Sequence, residues 1–211
     1  MKKYISEFIG TFALVFCGTG AVVVNSLSNG SLGLLGISAV FGIMVAAMIY
    51  AFGSSSGAHI NPAVTIGLFV GNLMPRKEAF RYVLAQIGGA ILASGLLSIM
   101  FPGSNTLGET LPNGGIVPSM VLEMILTFFL MLTILSFSNN KEQAHLAGAI
   151  IGMLVVGIIL IAGPISGGSF NPARSIAPAL ISGDLSGLWL YILAPITGSS
   201  LAIVLWNFLK T

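Results

Sequence analysis

The sequence predicts an all-α membrane protein: six transmembrane helices plus two re-entrant half-helices, arranged as an inverted repeat. Three observations carry that prediction. Of 211 residues, 55% are apolar and only 7% are charged, where a soluble domain carries about 25% charged residues; mean hydropathy is +1.01. There are 27 glycines, well above the roughly 7% average, which suits helices packed backbone to backbone in lipid. The two halves of the chain also repeat the same motifs in the same order. The composition excludes other classes as well. A net charge of +2 offers no basic stripe for nucleic acid, the apolar content excludes disorder, and one cysteine cannot build a disulfide scaffold.

Taken in order, Tyr4–Asn25 is the first span, led by Lys2 and Lys3. A cleaved leader is the competing reading there. It is disfavoured because Glu7 interrupts the apolar run and bulky Phe16 precedes Cys17, which reads as a small buried apolar residue. Leu34–Phe52 is the second span, Ala79–Phe101 the third, Ile116–Phe137 the fourth, Ala144–Gly163 the fifth and Leu188–Leu209 the sixth. Each holds the roughly 20 apolar residues needed to cross a bilayer. Asn61–Asn72 and Asn171–Ser182 are apolar but short; at 1.5 Å per residue they reach about half of a ~30 Å core. Such segments are tolerated in a membrane where protein or water satisfies their free backbone groups. Gly148, Gly152 and Gly157, with Ala85, Gly89 and Ala93, read as helix-contact stripes.

Basic residues set the orientation. Lys2, Lys3, Arg76, Lys77, Arg81, Lys141 and Lys210 all flank spans on one side, which predicts both termini in the cytoplasm. The opposite connections hold Glu109, Asp184 and one basic residue, Arg174. The chain reads as one domain, 1–211, with a first repeat over 1–101 and a second over 116–211. Glu7-Phe-Ile-Gly-Thr-Phe12 matches Glu123-Met-Ile-Leu-Thr-Phe128, and Ser56-Gly-Ala-His-Ile-Asn-Pro-Ala63 matches Ser166-Gly-Gly-Ser-Phe-Asn-Pro-Ala173. Ala85-Gln-Ile-Gly-Gly89 matches Ala194-Pro-Ile-Thr-Gly198. Three spans per half is odd, so the second copy enters from the opposite face. Asn-Pro opens a helix well, since Asn caps free N–H groups and Pro fits the first turn. Asn61 and Asn171 therefore open two half-helices whose positive dipole ends meet near the midplane. Such a site repels cations and offers amide donors to a neutral oxygen.

On Asn61-Pro62-Ala63, Asn171-Pro172-Ala173-Arg174 and both Glu-x-x-x-Thr segments, the whole chain resembles the aquaporin (major intrinsic protein) family. The stretch Gly163-Pro-Ile-Ser-Gly-Gly-Ser-Phe-Asn-Pro-Ala-Arg-Ser175 resembles the nodulin-26-like branch and its bacterial relatives, and the chain reads as a bacterial-type member. The resemblance implies a passive channel, usually a homotetramer with one pore per subunit. Its permeants would be water and small uncharged solutes such as glycerol, urea or arsenous acid; protons and ions would be excluded. It also implies a narrow selectivity ring at Phe41, Ile159, Gly168 and Arg174. Strict water channels place His where Ile159 stands and a small hydroxyl residue or Cys where Gly168 stands, so this ring lacks two polar groups and is wider. Glycerol facilitators have a second aromatic, and Asp where this chain has Ser175.

Arg174 in a membrane-embedded segment costs about 2.5–3.5 kcal/mol on insertion scales, so it belongs in a pore rather than against lipid. Glu7 and Glu123 are intramembrane carboxylates, which can mark proton relays. Their equivalent positions in the repeat favour a structural role, accepting N–H bonds from the re-entrant loops. Thr11 and Thr127 follow one turn later as packing residues. His59 reads as a vestibule residue and His145 as a solvated loop end. Two histidines and one cysteine give no metal-ligand cluster. No cofactor and no enzymatic activity are expected, since nucleophile–base pairs and phosphate-cradling loops are missing. The rival function is a proton- or ion-coupled secondary transporter, which inverted repeats also build; a scaffold protein without flux is the third reading.

Overall fold

The computed structural model describes residues 1–104, 106–140 and 142–210; Lys141, one of the topological markers, and Thr211 lie outside them. The elements are α1 (Lys2–Leu27), α2 (Gly33–Ser56), α3 (Pro62–Val70), α4 (Arg76–Met100), α5 (Ile116–Asn139), α6 (Ala147–Ser166), α7 (Pro172–Ser182) and α8 (Leu188–Lys210). A single 3-10 turn, Ala144–Leu146, leads into α6. Six of these helices are long and apolar enough to cross a membrane; α3 and α7 have 9 and 11 residues. There is no strand among the described residues.

Several ends differ from the sequence expectation for local reasons. The second span runs on to Ser56 and the fifth to Ser166, each stopped by a left-handed glycine, Gly57 (φ 85°) or Gly167 (φ 77°). Pro164 removes one helical hydrogen bond without ending α6. The first half-helix stops at Val70, because Gly71 caps it and Asn72 has φ 57°. The start of α2 is capped from outside: Asn25 Oδ1 accepts from the Leu32 and Gly33 N–H groups at 3.1 and 2.8 Å.

The two halves pack alike. α1 lies against α4 and α5 against α8, while α2 and α6 meet between the halves. α3 touches α8 of the other half, and α7 touches α4. At three crossings a glycine lets backbones touch. A methyl group on Gly89 would strike the Phe8 carbonyl, one on Gly198 the equivalent Met124 carbonyl, and one on Gly152 the Gly42 carbonyl. The stripe expected on α6 is only partly a contact. Gly148 faces the Tyr50 ring and Gly152 faces α2, but a methyl on Gly157 would meet open space. Side chains such as Ile99 (74% exposed) and Val117 (71%) face outward, where lipid rather than water must meet them.

Candidate functional site: a lumen between two half-helices

Each half-helix is preceded by a loop whose backbone is strained and then braced. Ala58, Ile60 and Phe170 all have positive φ, 47°, 44° and 54°, and for a β-branched residue such as Ile60 this is an outlier. The compensation comes from buried carboxylates. Glu7 Oε1 accepts from His59 N at 2.9 Å and Ser56 Oγ at 2.7 Å; its Oε2 accepts from Ile60 N and Gln86 Nε2, both at 2.7 Å. Glu123 does the same in the other half, accepting from Ser166 Oγ at 2.8 Å, Ser169 N at 2.8 Å and Phe170 N at 2.6 Å. Thr11 and Thr127 donate to the Glu7 and Glu123 carbonyls of their own helices.

With the loops held, the two asparagines perform the same pair of tasks. Asn61 Oδ1 accepts from Ala63 N at 2.8 Å, and Asn171 Oδ1 accepts from Ala173 N at 3.0 Å. Pro62 and Pro172 occupy the first helical position, where no donor is needed. The amide nitrogens reach across the midline. Asn61 Nδ2 donates to the Phe170 carbonyl at 2.8 Å, and Asn171 Nδ2 to the Ile60 carbonyl at 2.9 Å. One amide hydrogen of each Asn is used in this way, which leaves a second.

Both asparagines line a cavity of about 430 Å³. From one end it passes Tyr50 and His145, then His59 and the Asn pair, and reaches Phe41, Ile159 and Arg174. Among the described residues no carboxylate lines it. Arg174 is 3% exposed; its Nη1 donates to the Gly108 carbonyl, and its guanidinium carbon lies 5.1 Å from the Phe41 ring centroid. It makes no ion pair, and its Nε has no partner, among the described residues. Gly168 is not itself part of the lining, but sits beside Ile159, whose Cγ1 would be 3.5 Å from an added methyl. Pro62, Pro172, Ala63 and Ala173 are buried behind the asparagines.

His59 lines the lumen with its Nδ1 3.0 Å from Thr65 Oγ1 and its ring 5.0 Å from that of Tyr82. In the other half Ser169 and Ser175 hold the equivalent places, 2.5 Å apart, and Ser175 continues to Thr110 at 2.7 Å. His145 is exposed, as a loop end should be, yet also borders the lumen. Ser56, Ser166 and Gln86 carry roles that went unassigned in the sequence. Their signal was there, since all three stand inside the matched repeat segments. Gly108, which accepts from Arg174, sits in a long connection with no repeat or motif to mark it.

Paired half-helices around a lumen lined by two asparagine amides and an arginine define the class: a membrane pore whose walls can bind polar oxygen. The major intrinsic protein profile matches residues 1–206. Aquaporin NIP1-1 of Zea mays is 42% identical over 212 residues, covering 100% of this chain and 75% of that protein. Nodulin-26 of Glycine max is 37% identical, with 100% and 78% covered. Among solved structures, the aquaglyceroporin from Plasmodium falciparum superposes with a TM-score of 0.87 at 26% identity, covering 98% of this chain and 95% of that one. The chain belongs to the major intrinsic protein family, and it is an integral membrane channel for water and small uncharged solutes, not an enzyme. The expectation of a bacterial-type member is corrected by these relatives, which are plant nodulin-26-like proteins.

Proposed function

We propose that the lumen admits uncharged solutes larger than water, of the size of urea, glycerol or arsenous acid, and that Phe41, Ile159 and Arg174 form its narrow ring, with Gly168 packed beside Ile159. The observation that carries this reading is the make-up of the ring end. Arg174 is the only side-chain donor among those four residues; Ile159 presents hydrocarbon, and Gly168 beside it adds no side chain. A solute there can bind one face to a guanidinium and slide its carbon skeleton along Phe41 and Ile159. At the Asn pair, two remaining amide hydrogens can donate to one solute oxygen. A water so held has both lone pairs occupied and cannot accept a proton from its neighbour. Two helix dipoles, each worth about half a positive charge, add to Arg174 in opposing cations.

Both termini are assigned to the cytoplasm by the basic residues that flank α1, α4 and α8, and the functional unit is a homotetramer with one lumen in each subunit. The compartment follows as a cytoplasmic or inner membrane. Purified protein in liposomes tests the permeant assignment directly. Stopped-flow shrinkage is measured with water, urea, glycerol and arsenous acid, for the unaltered chain and for Arg174→Val. Fast water flux with low temperature dependence and passage of at least one larger solute is expected, and the variant should admit larger or charged permeants. An unchanged permeant profile in Arg174→Val removes Arg174 from the filter. Saturable uptake driven by a proton gradient would overturn the passive reading.

A further inference from the structure

Phe41 stands on α2, but its place is set from α1. Gly18 is buried, and a methyl group there would lie within 2.6 Å of three atoms of the Phe41 ring, Cε1, Cδ1 and Cζ. Real side chains do not approach so closely, so the ring keeps its present position only because residue 18 has no side chain. Around the ring, Leu14 and Val45 belong to the same packed cluster, and the Arg174 guanidinium covers a face at 5.1 Å. The open space beside it is the lumen, which Phe41, Ile159 and Arg174 line together. A close-packed wall does not yield easily, so a ring displaced from α1 moves into the lumen.

The repeat-equivalent position in the other half has no such recess. The repeat offsets place Ile134 opposite Gly18 and Ile151 opposite Phe41, and both isoleucines line the lumen directly. The two halves share their caps, braces and helix crossings, yet beside Arg174 the first half carries a glycine where the second carries a branched side chain.

We propose that Gly18 is a positioning residue for specificity: by leaving room on α1 for the Phe41 ring, it sets the width of the lumen beside Arg174 and so the largest uncharged solute that passes. This rests on Phe41 lining the narrow ring. A single methyl in an apolar site changes discrimination by about tenfold or more. The full chain is reconstituted in liposomes and challenged with water, formamide, urea, glycerol and erythritol, and the permeability of the largest solute passed is divided by that of water. Gly18→Ala is expected to lower this ratio about tenfold while water flux persists. The double variant G18A/F41A is expected to return it to the ratio of Phe41→Ala alone, because no ring remains to be displaced. A Gly18→Ala ratio equal to that of the unaltered chain overturns the proposal, as does a loss of all flux that the double variant does not restore. If Phe41→Ala alone leaves the ratio unchanged, the assignment of Phe41 to the ring falls and the role of Gly18 falls with it. If Phe41→Ala shifts the ratio and Gly18→Ala does not, only the Gly18 proposal is lost.

Discussion

A carboxylate buried in an apolar bundle needs a reason, and Glu7 and Glu123 have the same one. Both are fully buried, and each accepts from two loop N–H groups, one of them from a residue with positive φ, Ile60 or Phe170. Substituting Glu123 by Ala would strand the Ser169 and Phe170 N–H groups, and each buried unsatisfied group costs about 1–3 kcal/mol. The expected outcome is a lowered melting temperature in detergent together with reduced water flux, with Glu123→Gln intermediate because it keeps one acceptor oxygen. An Ala variant that melts and conducts like the unaltered chain would show that the loop needs no brace. The same saturation argues against proton coupling. Neither carboxylate lines the lumen, so neither is placed to exchange a proton with a passing solute.

At the scale of elements, the fold depends on how closely helices approach. Without a hydrophobic drive between helices in lipid, association rests on packing, and small residues allow backbones to touch. Gly152→Val would force α6 away from the Gly42 carbonyl and open the contact between the halves, whereas Gly157→Val would place its methyls in open space. The first should give little monodisperse protein on gel filtration and the second should match the unaltered chain; equal behaviour of the two would refute the crossing argument. Half-helices of 9 and 11 residues are too short to be stable alone. Asn capping, Pro at the first position and contact with a long helix of the other half all compensate. That exchange of partners, α3 on α8 and α7 on α4, makes neither half complete without the other.

For the whole molecule, six spans oblige the two ends to emerge on one side. With Cys17 replaced by Ala, a single cysteine at position 2 or at position 210 should react with an impermeant thiol reagent in inside-out vesicles and not in right-side-out ones. Opposite reactivity at the two positions would contradict the six-span topology, and reaction of both only in right-side-out vesicles would invert the orientation. The lumen runs through this frame as one cavity, built from residues as far apart in sequence as Leu14 and Arg174. No single half supplies it.

The class of the fold was legible because lipid demands apolar runs of a set length, and the inverted arrangement because three spans per copy reverse direction. The half-helices declared themselves through Asn-Pro, whose capping chemistry is local, and the paired Glu residues through their repeat positions. Helix ends were less legible, since Gly57 and Gly167 stop helices by adopting left-handed backbone that composition does not mark. Three-dimensional packing alone decided that a side chain at Gly157 would meet open space, that Gly108 accepts from Arg174, and that Gly18 makes room for Phe41. These are relations between residues distant in the chain, and no period or motif encodes them. By itself the sequence determined how many times the chain crosses a membrane and where two polar caps meet inside it, because hydropathy and capping act over a few neighbouring residues. Only the tertiary structure decided how wide the passage is, because width is a distance between side chains on different helices.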